Sequence, residues 1–107
     1  MIFVSMVIDA LPGQHSRLAA AMADMMAETR HEAGCVVYTY ACDLTEPGRF
    51  HLCEIWETLA LMEDHIDAEH SLRFMSVLNE TAKISQVKAF GGDVEKVRIR
   101  APAPRRS

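Results

Sequence analysis

The chain has 107 residues, of which half are apolar and 24% charged, with a formal net charge of −4. That length holds one domain and excludes a second, cofactor-binding one within it. The five basic residues from Lys96 onward leave −9 on residues 1–95, so neither nucleic acid nor an anionic membrane is an expected partner.

The first element is a strand over Ile2–Ile8, whose nearly continuous apolar run suggests burial on both faces. Pro12-Gly13 breaks it. From Gln14 to Glu32, Leu18, Met22, Met25, Met26 and Thr29 recur at helical spacing, with Gly34 placed as a left-handed C-cap. The methionines make that face either plain core or the wall of an apolar pocket. Two strands follow, Cys35–Cys42 and Arg49–Glu57, joined by a turn sequence from Asp43 to Gly48. Thr58 is the expected N-cap of a short helix reaching about Ile66. Asp67 is the expected cap of a further helix, with His70, Phe74, Val77, Leu78 and Thr81 on one face. Ser85–Ile99 reads as the last strand, bent or bulged at Gly91-Gly92. The domain therefore spans residues 1–99, and residues 100–107, rich in Pro and Arg, read as a flexible tail.

This order gives an α+β, ferredoxin-like βαββαβ fold, an antiparallel sheet with its helices on one face. The apolar share lies at the top of the usual range of about 45–50%. A domain this small buries only about two-thirds of its unfolded surface. Pairing two bare sheet faces in a homodimer would bury the surplus.

Several residues suit chemistry. Glu54 and Trp56 share one side of a strand, where the carboxylate and the indole N–H can pair, either bracing the sheet edge or lining a cleft. His65 and His70 straddle the Ile66-Asp67 junction. On one straight helix five residues would set them roughly 140° apart, so they do not form the i, i+4 chelating pair. A helix break at Asp67 would let both face the sheet. Asp64, Asp67 and Glu69 lie nearby in sequence, but the spacing fits no standard metal site, and none is expected. A histidine in an apolar cleft suits a general base near neutral pH, whereas a capping or solvated histidine does no chemistry. Tyr38 and Tyr40 face one side of their strand, where either can pack or donate to a ligand oxygen. His15 and His31 lie near helix ends, and His51 lies beside the hairpin turn. Cys35, Cys42 and Cys53 have no CxxC spacing and read as small buried apolar residues. With no basic leader and no membrane-length apolar run, the expected location is the cytoplasm.

Glu32-Ala-Gly-Cys35, Tyr38, Phe50, Glu54-Ile-Trp56, His65 and His70, in this order, resemble the antibiotic biosynthesis monooxygenase family from about Ile2 to Ile99. The resemblance implies a dimeric α+β barrel with a pocket between sheet and helices in each subunit. It also implies a monooxygenase without cofactors, acting on a small aromatic quinol or anthrone-like phenol with molecular oxygen. In that scheme His65 is the base, His70 supports it and Glu54 orients a neighbour. Trp56, Tyr38, Met22 and Phe74 would contact the substrate. Haem-degrading relatives use a strand-one Asn, a Trp and an iron-ligating His. Here Ser5 or Met6, His65 and Met75 stand at those places, so haem degradation is not implied. Alternatives within so mixed a family are a non-catalytic ligand-binding or stress-associated dimer, and an isomerase or disposal enzyme for a small signalling metabolite.

Overall fold

The computed structural model describes residues 1–104. Its elements are β1 (Ile2–Ala10), α1 (His15–Thr29), β2 (Cys35–Cys42), β3 (Arg49–Trp56), α2 (Leu59–Asp67), α3 (Glu69–Thr81) and β4 (Ala82–Gly91). The four strands form one antiparallel sheet in the order β2-β3-β1-β4. This is the expected ferredoxin-like arrangement, with the second helical region divided into α2 and α3.

Strand alternation assigns the two faces. Val4, Ile8, Tyr38, Phe50, Leu52 and Trp56 point to the helices and are buried there with Leu18, Met22 and Met25 of α1 and Phe74 and Leu78 of α3. Met22 thus belongs to the packed core. The other sheet face carries a row of register neighbours, Phe90, Phe3, Ile55 and Val37, running across all four strands. The next row, Lys88, Ser5, Cys53 and Thr39, is polar apart from the thiol. The open face is therefore apolar at one end rather than throughout. Cys53 and Cys42 are exposed, contrary to the expectation of buried thiols, because Cys53 points to this open face and Cys42 ends an edge strand.

The last strand differs from expectation at both ends. It starts at Ala82, directly after α3, and stops at Gly91 instead of continuing to Ile99. The sheet simply runs out: Ile2 pairs with Gly91, and Met1 exchanges backbone hydrogen bonds with Gly92 at 2.9 and 3.1 Å. Among the described residues no strand pairs with Asp93–Pro104, which has no regular structure. The bulge lies inside the strand, where Val7 faces Gln86 and Ile8 faces Ile84, leaving Ser85 as the extra residue. Ser85 Oγ donates to Asp9, which also accepts two bonds from Arg49. Of the expected tail, Arg105, Arg106 and Ser107 lie outside the described residues.

α1 ends at Thr29, three residues before the expected Glu32. His31 and Glu32 make tight backbone bonds to Glu28 and Thr29, and Gly34 takes φ +79° to turn the chain into β2. That early end places Glu32 in a turn, with its side chain free to leave the helix surface.

Candidate active site

β3 supplies the first pair. Trp56 Nε1 donates to Glu54 Oε1 at 2.9 Å, and both side chains are buried. Burial pushes the Glu54 carboxyl above the usual carboxylate range, against the opposing effects of the Trp56 bond and the nearby His65. His65, near the C-terminal end of α2, lies against the indole with ring centroids 4.8 Å apart, and its Nε2 is 3.9 Å from Glu54 Oε1. Ser71 Oγ donates to the His65 carbonyl at 2.5 Å, fixing the end of α2 against α3.

The break between α2 and α3 comes at Ala68 (φ −65°, ψ 147°), one residue beyond the expected Asp67. It turns α3 so that His65 and His70 converge, with ring centroids 6.0 Å apart. They meet on Glu32. His65 Nδ1 lies 2.6 Å and His70 Nε2 3.0 Å from Glu32 Oε2. On its other side, His70 Nδ1 lies 3.5 Å from Glu28 Oε2. The donor atoms of Glu32, His65 and His70 all lie within 4.8 Å of one another.

Glu32 is held from both sides of its turn. Arg30 Nε donates to the Tyr38 carbonyl at 3.0 Å, and Glu57 N–H donates to the Gly34 carbonyl at 2.9 Å. The segment between α1 and β2 is thereby pinned to β2 and to the end of β3.

A cavity of about 330 Å³ opens between the helix face of the sheet and α2 and α3. Its volume falls at the small end of ligand sites, roughly 300–1,000 Å³. His65, Glu54, Tyr38, Tyr40 and Phe74 line it, together with aliphatic and Met side chains that make its wall mostly apolar. Tyr38 and Tyr40 have their phenol oxygens 3.1 Å apart, and burial pushes both pKa values up. Both therefore stay protonated. One O–H is spent within the pair, and the second is free to donate to a ligand oxygen.

The cavity separates the expected site residues. His65, Glu54, Tyr38 and Phe74 border it; Trp56 and Met22 do not. Trp56 is fully buried behind His65, and Met22 packs in the core. His70 lies outside the cavity wall and reaches His65 through Glu32. Sequence reasoning singled out no role for Glu32, which stands 33 residues from His65 and 38 from His70. The available signals were a carboxylate two residues before a turn glycine and the place of Glu32 in the Glu32-Ala-Gly-Cys35 motif, neither of which gives it a role.

The sequence pattern of the antibiotic biosynthesis monooxygenase family matches residues 1–77. The chain belongs to that family. Glu32, Glu54, Trp56, His65 and His70 all fall inside the matched span of this monooxygenase-family member, and β4 falls outside it. Among solved structures, a protein from Deinococcus radiodurans named "putative antibiotic biosynthesis monooxygenase" is 22% identical with a TM-score of 0.84, covering 94% of this chain and 100% of that one. At that identity the likeness is one of fold. PA3566 from Pseudomonas aeruginosa is 29% identical with a TM-score of 0.73, covering 83% of this chain and 88% of its own. SO0527 from Shewanella oneidensis is 25% identical with a TM-score of 0.75 and the same coverages. A search among curated proteins gives no match. Among the described residues, no helix is long and apolar enough to cross a membrane.

Proposed function

We propose that the protein is a monooxygenase that inserts an oxygen atom from O₂ into a small, electron-rich aromatic quinol or anthrone, with the substrate itself supplying the electrons. The observation that carries this reading is the setting of His65. Its Nδ1 is held by the Glu32 carboxylate, and its ring lines an apolar cavity together with Glu54, the carboxylate nearest its Nε2. A carboxylate can only accept, so Nδ1 carries the proton and Nε2 presents a lone pair. This is the arrangement by which an acid–histidine pair makes a general base and then steadies the imidazolium that forms.

The chemistry needs little more. His65 Nε2 removes a proton from the substrate, and the free O–H of the Tyr38–Tyr40 pair donates to the oxyanion that results. The anion passes one electron to O₂, and the resulting radical pair joins through a new C–O bond as a hydroperoxide, taking its proton from the imidazolium. Loss of water, as the carbon gives up its remaining hydrogen as a proton, leaves a carbonyl. In sum, the CH₂ group of an anthrone and O₂ become C=O and H₂O; in a quinol the two hydrogens come from the O–H and the ring C–H that is oxygenated. An apolar wall suits this step because it keeps water from the charged intermediates.

We also infer that two copies pair through the open sheet face, where the row Phe90, Phe3, Ile55 and Val37 offers apolar surface. Phe90 alone is 66% exposed. The function is tested by oxygen uptake with a panel of anthrones and quinols. One or more should be consumed faster with protein than without, and His65→Ala should remove the acceleration while the chain stays folded. Unchanged turnover in that variant would remove His65 from the mechanism.

A further inference from the structure

The convergence of Glu32, His65 and His70 offers more than a base and its orienter. Two imidazole nitrogens and one carboxylate oxygen, supplied by three different parts of the chain, are a donor set for a borderline divalent metal ion. An ion about 2.1 Å from each donor sets the donors roughly 3–3.5 Å apart. The two histidine nitrogens stand 2.6 and 3.0 Å from Glu32 Oε2, and all three donor atoms lie within 4.8 Å of one another. Small side-chain adjustments would open room for the ion.

The other ring nitrogens strengthen the case. A histidine that binds metal through one nitrogen carries its proton on the second, and that N–H needs an acceptor. Both histidines face a carboxylate there: Glu54 Oε1 lies 3.9 Å from His65 Nε2, and Glu28 Oε2 lies 3.5 Å from His70 Nδ1. A tautomer shift in each ring would free the metal-facing nitrogen without expelling a proton from the site. Charge favours a cation as well. Glu28, Glu32 and Glu54 cluster here, and besides the two histidines Arg73, 3.4 Å from Glu28, is the basic side chain paired with them among the described residues.

We propose that Glu32, His65 and His70 bind one divalent ion of the Zn²⁺ type. Mg²⁺ and Ca²⁺, which prefer all-oxygen shells, are poor fits. The ion has a consequence for the cavity. Glu54 borders the cavity and Glu32 does not, so Nε2 is the cavity-side nitrogen of His65. With metal on Nδ1, the proton sits on Nε2, which then donates instead of accepting. Zn²⁺ therefore switches off the base. This second consequence rests on the oxygenase reading, whereas the binding does not.

The test is Zn²⁺ titration of chelator-stripped protein in competition with a chromophoric chelator, repeated with Mg²⁺, and with Co²⁺ read by its visible absorption. One Zn²⁺ per chain is expected, together with Co²⁺ bands, and at least tenfold weaker binding in His70→Ala and in Glu32→Gln. His70→Gln serves in place of His70→Ala if circular dichroism finds the alanine variant unfolded. No uptake by the wild type would overturn the site. So would uptake that both variants leave within tenfold, which would place the metal elsewhere, for instance on the exposed Cys42 or Cys53. Where a substrate is oxidised, Zn²⁺ should slow oxygen uptake with the same midpoint as binding. Undiminished uptake at saturating Zn²⁺ would overturn the switch. If no substrate is found, the binding measurements still decide the metal site.

Discussion

Glu32 Oε2 and His65 Nδ1 stand 2.6 Å apart, although they are 33 positions apart in the chain with two strands, β2 and β3, between them. The contact decides which nitrogen of His65 faces the cavity with a free lone pair. In Glu32→Gln an amide N–H can face Nδ1 instead, favouring the other tautomer and removing the base. Turnover should fall by about 10²–10⁴-fold, the usual worth of a positioned general base. Substrate affinity, read as the change in cavity fluorescence or as KM, should move far less. A kcat within threefold of the wild type would show that Glu32 does not set the tautomer.

Glu54 makes a pH-dependent prediction whose sign follows from burial. Its folded-state pKa is raised above the usual value, so its stabilising contribution is complete below the unfolded carboxylate range. That contribution is lost as pH rises through the folded pKa, because the charged form is disfavoured where it is buried. Gln at this position keeps an oxygen for the Trp56 N–H and cannot ionise. Thermal melts should therefore show Glu54→Gln gaining on the wild type as pH rises from about 4 toward neutrality, by a few degrees. A constant difference across that window would contradict the raised pKa.

Much of this organisation is legible in the sequence, because it depends on local pattern. The methionine-rich stripe of α1, the Thr58 cap and the alternation that pairs Glu54 with Trp56 are all properties of short segments. Thr58 Oγ1 does accept the Leu61 N–H at 3.2 Å. The meeting of His65 and His70 was readable only as a conditional, since it turns on a helix break whose place depends on tertiary packing; the break lies at Ala68. Glu32 was not legible as a site residue. Helical periodicity extends α1 through it, and only the folded turn releases its side chain toward two histidines on other helices. The end of β4 was hidden for a similar reason. Val94, Val97 and Ile99 look strand-like, but strand length is limited by where β1 begins.

Gly34 ties the turn that carries Glu32 to the helix that carries His65. Its φ of +79° disfavours any side chain, and a Cβ there would come within 2.9 Å of Leu61 Cβ and closer still to Leu61 Cδ1. Gly13, at φ +77°, has nothing within 4 Å of the same position. Gly13→Ala should cost about 1 kcal/mol from backbone strain alone, and Gly34→Ala about 2–3 kcal/mol with the clash added. Chemical denaturation of both variants gives the difference. Equal costs would mean that Leu61 yields freely.

The proposed dimer has a test that spares the monomer core. Phe90 lies on the open face and is 66% exposed, so Phe90→Asp removes little within the chain beyond its contact with the neighbouring Phe3. Light scattering after gel filtration should give twice the 12.0 kDa chain mass for the wild type and a shift toward one chain mass for the variant. A wild-type monomer, or a variant dimer of undiminished stability, would contradict pairing through this face.

If His65 opens a substrate to direct attack by O₂, as proposed, isotope labelling shows it most directly. With ¹⁸O₂ and the best substrate from the uptake panel, the quinone product should carry one ¹⁸O, at a rate that His65→Ala reduces to the uncatalysed level. An unlabelled product, or labelling at the same rate in the His65→Ala variant, would contradict it.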